Sequence, residues 1–284
     1  MQERADDAIE RLTGAARHLR ASPLRRGSVV WLPARGRLLV TGDLHDNPLH
    51  LQKILGLAGL ERSPDHHVVF QEIIHSEHLI NGVDLSHRML VRIADLVARY
   101  PGQAHVLLAN HELSQMTGMG VSKGAGDSVE LFNRGVQFAF GDAAADVSRG
   151  IDDFIGAMPL CLRSESGILC SHSLPSPAMM EKFDETIFER EMTDADYQRG
   201  EGSAYLLTWG RGQTKLQIEE LAARWKVKIF FLGHEHIETG CEMFGPKLVK
   251  LNSDHEQGAV LSVDLANPPS AEDAVMSAIK LGSI

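Results

Sequence analysis

Short apolar runs and helix-spaced apolar patterns alternate along the chain, and the two periodicities separate strands from helices. Over residues 6–20 apolar side chains recur every three or four positions, which predicts an amphipathic helix on the outside of the core. SVVWLP (28–33) and RLLVTG (37–42), joined by Ala-Arg-Gly, predict two strands around a tight turn. A helix is expected over 49–60, a strand at HHVVF (66–70), a helix over 85–99 stopped by Pro101-Gly102, and a strand at AHVLLA (104–109). This strand-helix rhythm predicts an α/β sheet covered on both faces, with the residues beyond the strand ends converging along one edge.

The middle of the chain reads as two helices, over 128–140 and 146–158, followed by a hairpin whose second strand, ILCSHS, runs into His172. Residues 175–208 lose both periodicities and predict loop and short helix bordering a site. A helix over 214–225 feeds the strand VKIFFLG (227–233), and KLVKLNS (247–253) and GAVLSVDL (258–265) finish the pattern. From Asn267 the tail begins with two prolines and predicts a loosely attached helix. The expected division is an N-terminal helical extension (1–27), one domain (28–266) and a C-terminal tail (267–284).

Composition narrows the class. With 284 residues, 43% hydrophobic and 23% charged, the chain can bury a large core of its own. A formal net charge of −10 argues against DNA, RNA or anionic membranes as partners. No apolar run is long enough to span a bilayer and the start MQERADDAIE is no secretory signal, so the cytoplasm is the expected location. Three cysteines, Cys161, Cys170 and Cys241, are too few and too unevenly spaced for a disulfide framework or a thiolate zinc site.

The strand ends carry the chemistry. They read TGDLHDN (41–47), FQEIIH (70–75), ANHE (109–112), CSHS (170–173) and GHEH (233–236), each with a carboxylate, amide or imidazole able to bind a first-row metal. Burying several such groups together is costly unless cations neutralise them, so the set predicts a metal site.

These motifs resemble the calcineurin-like metallophosphoesterases, nearest in layout to the phosphoprotein-phosphatase and symmetrical diadenosine-tetraphosphatase group. The matching residues are Gly42-Asp43-Leu44-His45, Glu72, Asn110-His111-Glu112, His172 and Gly233-His234-Glu235-His236. The resemblance implies a β-sandwich flanked by helices, in the α/β (α+β) class, with two divalent ions at the sheet edge. It implies Asp43, His45 and His236 on one ion, Asn110, His172 and His234 on the other, and Glu72 between them. Attack on phosphorus would come from a hydroxide bridging the ions, with His111 as proton donor to the leaving oxygen. Manganese is the working choice of metal; iron, zinc and cobalt suit the same donors.

Several residues depart from the family pattern. Gln71-Glu72 stands where Gly-Asp is usual, and His75 stands where a carboxylate would support the donor histidine. The arginine of that segment is absent, and Arg211 in TWGRG is its expected replacement on phosphate. Asp46 replaces a glycine and is expected to support His45, while Asp254 and His255 are expected to wall the substrate site. The expected activity is hydrolysis of phosphoric monoesters, with protein phosphoserine or phosphothreonine favoured over other phosphorylated substrates. The alternatives are nucleotide or dinucleoside-polyphosphate hydrolysis, phosphodiester hydrolysis, and a metal-stabilised interaction module without turnover.

Overall fold

Alternate residues along the strands face two different cores, and that alternation builds the layers. In a computed structural model, residues 4–120, 122–123 and 126–284 are described, so the first three residues of the expected N-terminal extension lie outside the description. The chain starts with α1 (Ala5–Ala21), β1 (Arg25–Arg26), β2 (Val29–Leu32), β3 (Arg37–Asp43), α2 (Pro48–Ala58), β4 (His66–Gln71) and α3 (His87–Arg99). It continues through β5 (Ala104–Val106), α4 (Asn110–Thr117), a ribbon of β6 (Ser122–Lys123) and β7 (Gly126–Asp127), α5 (Ser128–Phe140) and α6 (Ala144–Ala157). The hairpin β8 (Cys161–Ser164) and β9 (Ile168–Ser171) precedes α7 (Ser203–Trp209), α8 (Lys215–Trp225) and β10 (Ile229–Leu232). The chain closes with β11 (Cys241–Met243), β12 (Leu248–Leu251), β13 (Ala259–Asp264), α9 (Ala271–Met276) and β14 (Ile279–Lys280).

One sheet runs β1-β2-β8-β9-β10-β12-β11 and the other β14-β13-β3-β4-β5. Leu38 and Val40 of β3 pack with Leu162, Cys170, Phe231 and Val249 of the first sheet in the inner core. Their neighbours Leu39, Leu169 and Phe230 face outwards into a second core shared with the helices. The result is a mixed α/β sandwich of two sheets flanked by helices, as the resemblance implied. Helix α1 covers α3 and α6 through Ala8, Leu12 and Ala15, all fully buried. Among the described residues, no helix is long and apolar enough to cross a membrane.

Three expectations change. β2 and β3 are not a hairpin: β2 pairs in parallel with β8, while β3 pairs with β4 and β13, because the turn at 33–36 carries the chain from one sheet to the other. Gly36 permits this crossing at φ 86, with its Cα so close to Asp65 that a Cβ would stand 2.0 Å from that carbonyl oxygen. The tail is not loose: Ala271, Ala274 and Leu281 are buried, and β14 pairs with β13. Strand β5 ends at Val106, and Asn110 starts a helix rather than lying on a strand end.

Candidate metal centre

The polar strand ends meet at one rim. Asp43 closes β3, Glu72 lies one residue past β4, Asn110 and His111 open α4, His172 follows β9, and His234 stands two residues past β10. The two sheets touch here, since Asp43 forms a parallel bridge with Asn252 and the Asp43 carbonyl accepts from Ser253 N at 3.0 Å.

Local backbone geometry aims the side chains. Five non-glycine residues of these loops are left-handed: His45 (φ 38), Asp46 (57), Glu72 (45), His75 (63) and His234 (71). Each such conformation costs on the order of 1–3 kcal/mol and persists only where its surroundings enforce it. Here Leu44 N and His45 N both donate to Glu72 O, at 3.0 and 2.9 Å, tying the two loops together. Ile73 N and Ile74 N donate to Glu112 Oε1 at 2.8 and 3.2 Å, and burial pushes the Glu112 carboxyl up to about 7. At the third loop His234 N donates to both Asp43 oxygens at 3.0 Å. This works only because residue 233 is glycine: a Cβ there would sit 2.2 Å from Asp43 Oδ1. Gly233→Ala is therefore expected to displace Asp43 and weaken metal binding by about tenfold or more, measured by competition with a chelator.

The donors converge on Glu72. His45 Nε2 and His172 Nε2 each lie 3.6 Å from Glu72 Oε2, and His111 Nε2 lies 3.5 Å from Oε1. On the far side Asn110 Oδ1 faces His172 Nε2 at 2.6 Å and His234 Nδ1 at 3.0 Å. Two groups of donor atoms close enough to hold an ion result: His45, Glu72 and His111; and Asp43, Glu72 and His172. Burial lowers His172 well below its ordinary value, helped by the nearby His234 and His45, and brings His234 down to about 3 with help from Arg211. Both rings are thus neutral at pH 7, the form that binds a metal. Asp43 and Glu72 are 3% and 2% exposed, so two carboxylates sit buried among neutral imidazoles. Divalent cations answer that charge, and the mixture of carboxylate, amide and imidazole fits two of them.

The remaining predicted residues fall around this centre. His75 is buried with Nδ1 2.8 Å from His111 Nδ1. Arg211 lines the cleft and its Nη2 donates to His234 O at 3.3 Å. His236 lines the cleft too, but it is exposed and its ring packs against His255, centroids 5.0 Å apart. Asp254 and His255 form the wall expected of them; Asp46 belongs to an adjoining cavity, while His45 Nδ1 is held by Ile74 O at 3.0 Å.

Sequence reasoning missed the second rank of support. Gln71, read only as a lost glycine, presents Oε1 to His172 Nδ1 at 3.0 Å and anchors its amide nitrogen on Thr41 O at 2.9 Å. Glu112 and Gln115 lie two and five residues beyond Asn110 on α4, where Glu112 holds the loop after Glu72 and Gln115 meets His75; the motif carried Glu112 without a role, and helical spacing after Asn110 was the signal that could have found Gln115.

Residues 36–238, which span every predicted metal ligand together with His75, His111 and Arg211, match the family described as calcineurin-like phosphoesterase. No curated protein sequence matches the chain significantly. A protein serine/threonine phosphatase from Saccharomyces cerevisiae is similar in structure, with a TM-score of 0.63 at 15% sequence identity over 92% of this chain and 83% of its own. A cold-active protein-tyrosine phosphatase from a psychrophilic Shewanella is similar at 0.60, with 13% identity over 89% and 81%. At such identities the likeness speaks to the fold.

Proposed function

From the premise that this chain belongs to the calcineurin-like phosphoesterases and is a metal-dependent phosphoesterase, we propose that its substrates are phosphoric monoesters, protein phosphoserine and phosphothreonine foremost. The observation that carries this reading is the make-up of the cleft. It holds about 450 Å³ and, among its described lining residues, has one guanidinium, Arg211, facing carboxylates at Asp43, Glu72, Glu77 and Asp254. One phosphoryl group fits such a field. A dinucleoside polyphosphate would extend further negative charge toward Glu77 and Asp254.

When bound, two divalent ions supply an acidified water as nucleophile and neutralise the charge that gathers on the phosphoryl oxygens. The chain's own groups do the rest. Glu72 joins the two donor groups, Gln71 accepts from His172 Nδ1 and so leaves the Nε2 lone pair beside Asn110 Oδ1 to hold an ion, and Arg211 forks onto the non-reacting phosphoryl oxygens. Manganese is the metal we assign for activity, the cytoplasm the place of action, and nucleic acid is not a partner, in keeping with the net charge of −10.

A panel of substrates tests the reading: phosphoserine, phosphothreonine and phosphotyrosine peptides, p-nitrophenyl phosphate, bis(p-nitrophenyl) phosphate and diadenosine tetraphosphate, each with manganese, iron, zinc or cobalt. Monoesters, led by the phosphoserine and phosphothreonine peptides, are expected to turn over fastest. Preference for the diester or the polyphosphate overturns the assignment, and tight metal binding without any turnover supports an interaction module instead. Arg211→Ala is expected to lower kcat/KM for monoesters by roughly 10²-fold, the scale of one lost charge-stabilising donor, with metal content unchanged.

A further inference from the structure

We propose that His111 is a ligand of the first ion in this chain, in the position that the family resemblance gives to His236. The inference rests on reading the cleft as a two-ion centre and asks which side chains complete it. His111 Nε2, His45 Nε2 and a Glu72 oxygen lie within 4.8 Å of one another, with contacts to Glu72 of 3.5 and 3.6 Å. Metal–ligand bonds of about 2.0–2.2 Å place neighbouring donor atoms roughly 3–3.5 Å apart, so this group needs little adjustment to close on an ion. His236 is in neither converging group of the described residues; it is exposed at the rim beside His255.

The supports behind His111 point the same way. Gln115 Nε2 donates to Asn133 Oδ1 at 2.8 Å, which turns Gln115 Oε1 toward His75 Nε2 at 3.1 Å. His75 therefore donates from Nε2, and in that tautomer Nδ1 carries a lone pair. His111 then donates from Nδ1 across the 2.8 Å contact and presents the lone pair of Nε2 to Glu72 and the ion site. His75, Gln115 and Asn133 are thus positioning residues for a ligand.

The test compares metal uptake by the wild-type chain, His111→Ala and His236→Ala, using manganese and a competing chelator, and sets beside it turnover of p-nitrophenyl phosphate and of an alkyl phosphate. We expect two ions per chain in the wild type and in His236→Ala, and one in His111→Ala, whose first-site affinity falls by about 100-fold or more. Turnover of the two esters should fall in parallel, because a missing ion hurts both leaving groups. Two ions retained at wild-type affinity in His111→Ala, with selective loss of the alkyl phosphate, would assign the proton donor role and overturn the inference. Loss of an ion in His236→Ala overturns it as well. A wild-type chain that takes up fewer than two ions sinks the two-ion reading itself, a separate result. Should His111→Ala fail to fold, the cobalt-loaded wild type decides: ¹⁵N resonances of His111 shifted by direct ligation support the inference, and shifts at His236 in their place refute it.

Discussion

Replacing Glu72 with alanine is expected to lower phosphoester turnover by roughly 10⁴-fold, the scale on which a member of an interdependent catalytic unit fails. The reason is its position between the two donor groups, 3.5–3.6 Å from the imidazole nitrogens of His45, His111 and His172. No other side chain of the described residues belongs to both groups. Without that carboxylate the group of His45 and His111 keeps no negative donor and the other group keeps Asp43 alone, so the negative charge that favours two divalent ions is halved. Inductively coupled plasma analysis of freshly purified protein should find fewer than two ions, and wild-type metal content in Glu72→Ala would refute the bridging role. Glu72→Asp is the more discriminating variant, because it installs the residue usual in the family. Here the backbone has already adapted to glutamate: φ is 45 at Glu72, and its carbonyl is fixed by Leu44 N and His45 N. A side chain shorter by one methylene then falls short of both groups, so we expect about tenfold weaker metal binding rather than improvement. Tighter binding in Glu72→Asp would show that the loop yields freely.

Much of this centre was legible because strand ends are punctuated by polarity. Asp43, His172 and His234 interrupt apolar runs at the point where the sheet gives out, and a single sequence displays such interruptions clearly. Pairing partners are another matter. SVVWLP and RLLVTG look like a hairpin because local sequence records only the short turn, whereas partner choice depends on β8, some 130 residues away, and on the inner core both sheets share. The direction of a side chain was equally hidden. His234 and His236 are equivalent in sequence, but the left-handed backbone at His234 turns its ring inward against Asn110 and leaves His236 at the rim with His255. Gln71 shows why a departure from pattern is hard to read without coordinates: its amide replaces a bare glycine with a hydrogen bond to His172, a gain that spacing cannot reveal.

Acidification below about pH 6.5 is expected to destabilise the metal-free protein, and two buried histidines outside the donor groups, His105 and His87, account for much of the effect. Burial, reinforced by neighbouring His67, holds His105 down at about 3; burial, with Arg88 nearby, holds His87 at about 4. His105 stacks on His67 with centroids 5.5 Å apart and its Nε2 3.3 Å from His67 Nδ1, while His87 packs edge-on against Phe132 and Phe140. Both are neutral in the fold, whereas in the unfolded chain they protonate near 6.5. Between those values the unfolded state binds more protons, so stability is complete above about 6.5 and declines as the pH falls toward 4. Each histidine then costs about 1.4 kcal/mol per pH unit, and at pH 4.5 the two together remove roughly 5 kcal/mol, comparable with the whole stability of many domains. Urea unfolding from pH 7 to 4.5, with chelator present so that metal release adds nothing, measures the summed slope, to which Glu112 and Asp46, raised to about 7 and about 6 by burial, contribute with the opposite sign. His105→Gln, neutral throughout, should unfold more readily at pH 7 because the stacked ring is lost, yet its stability should fall with pH less steeply, by about 1.4 kcal/mol per unit. Parallel slopes in the two proteins would mean that His105 is not held neutral in the fold, and the acid sensitivity would then have to come from elsewhere.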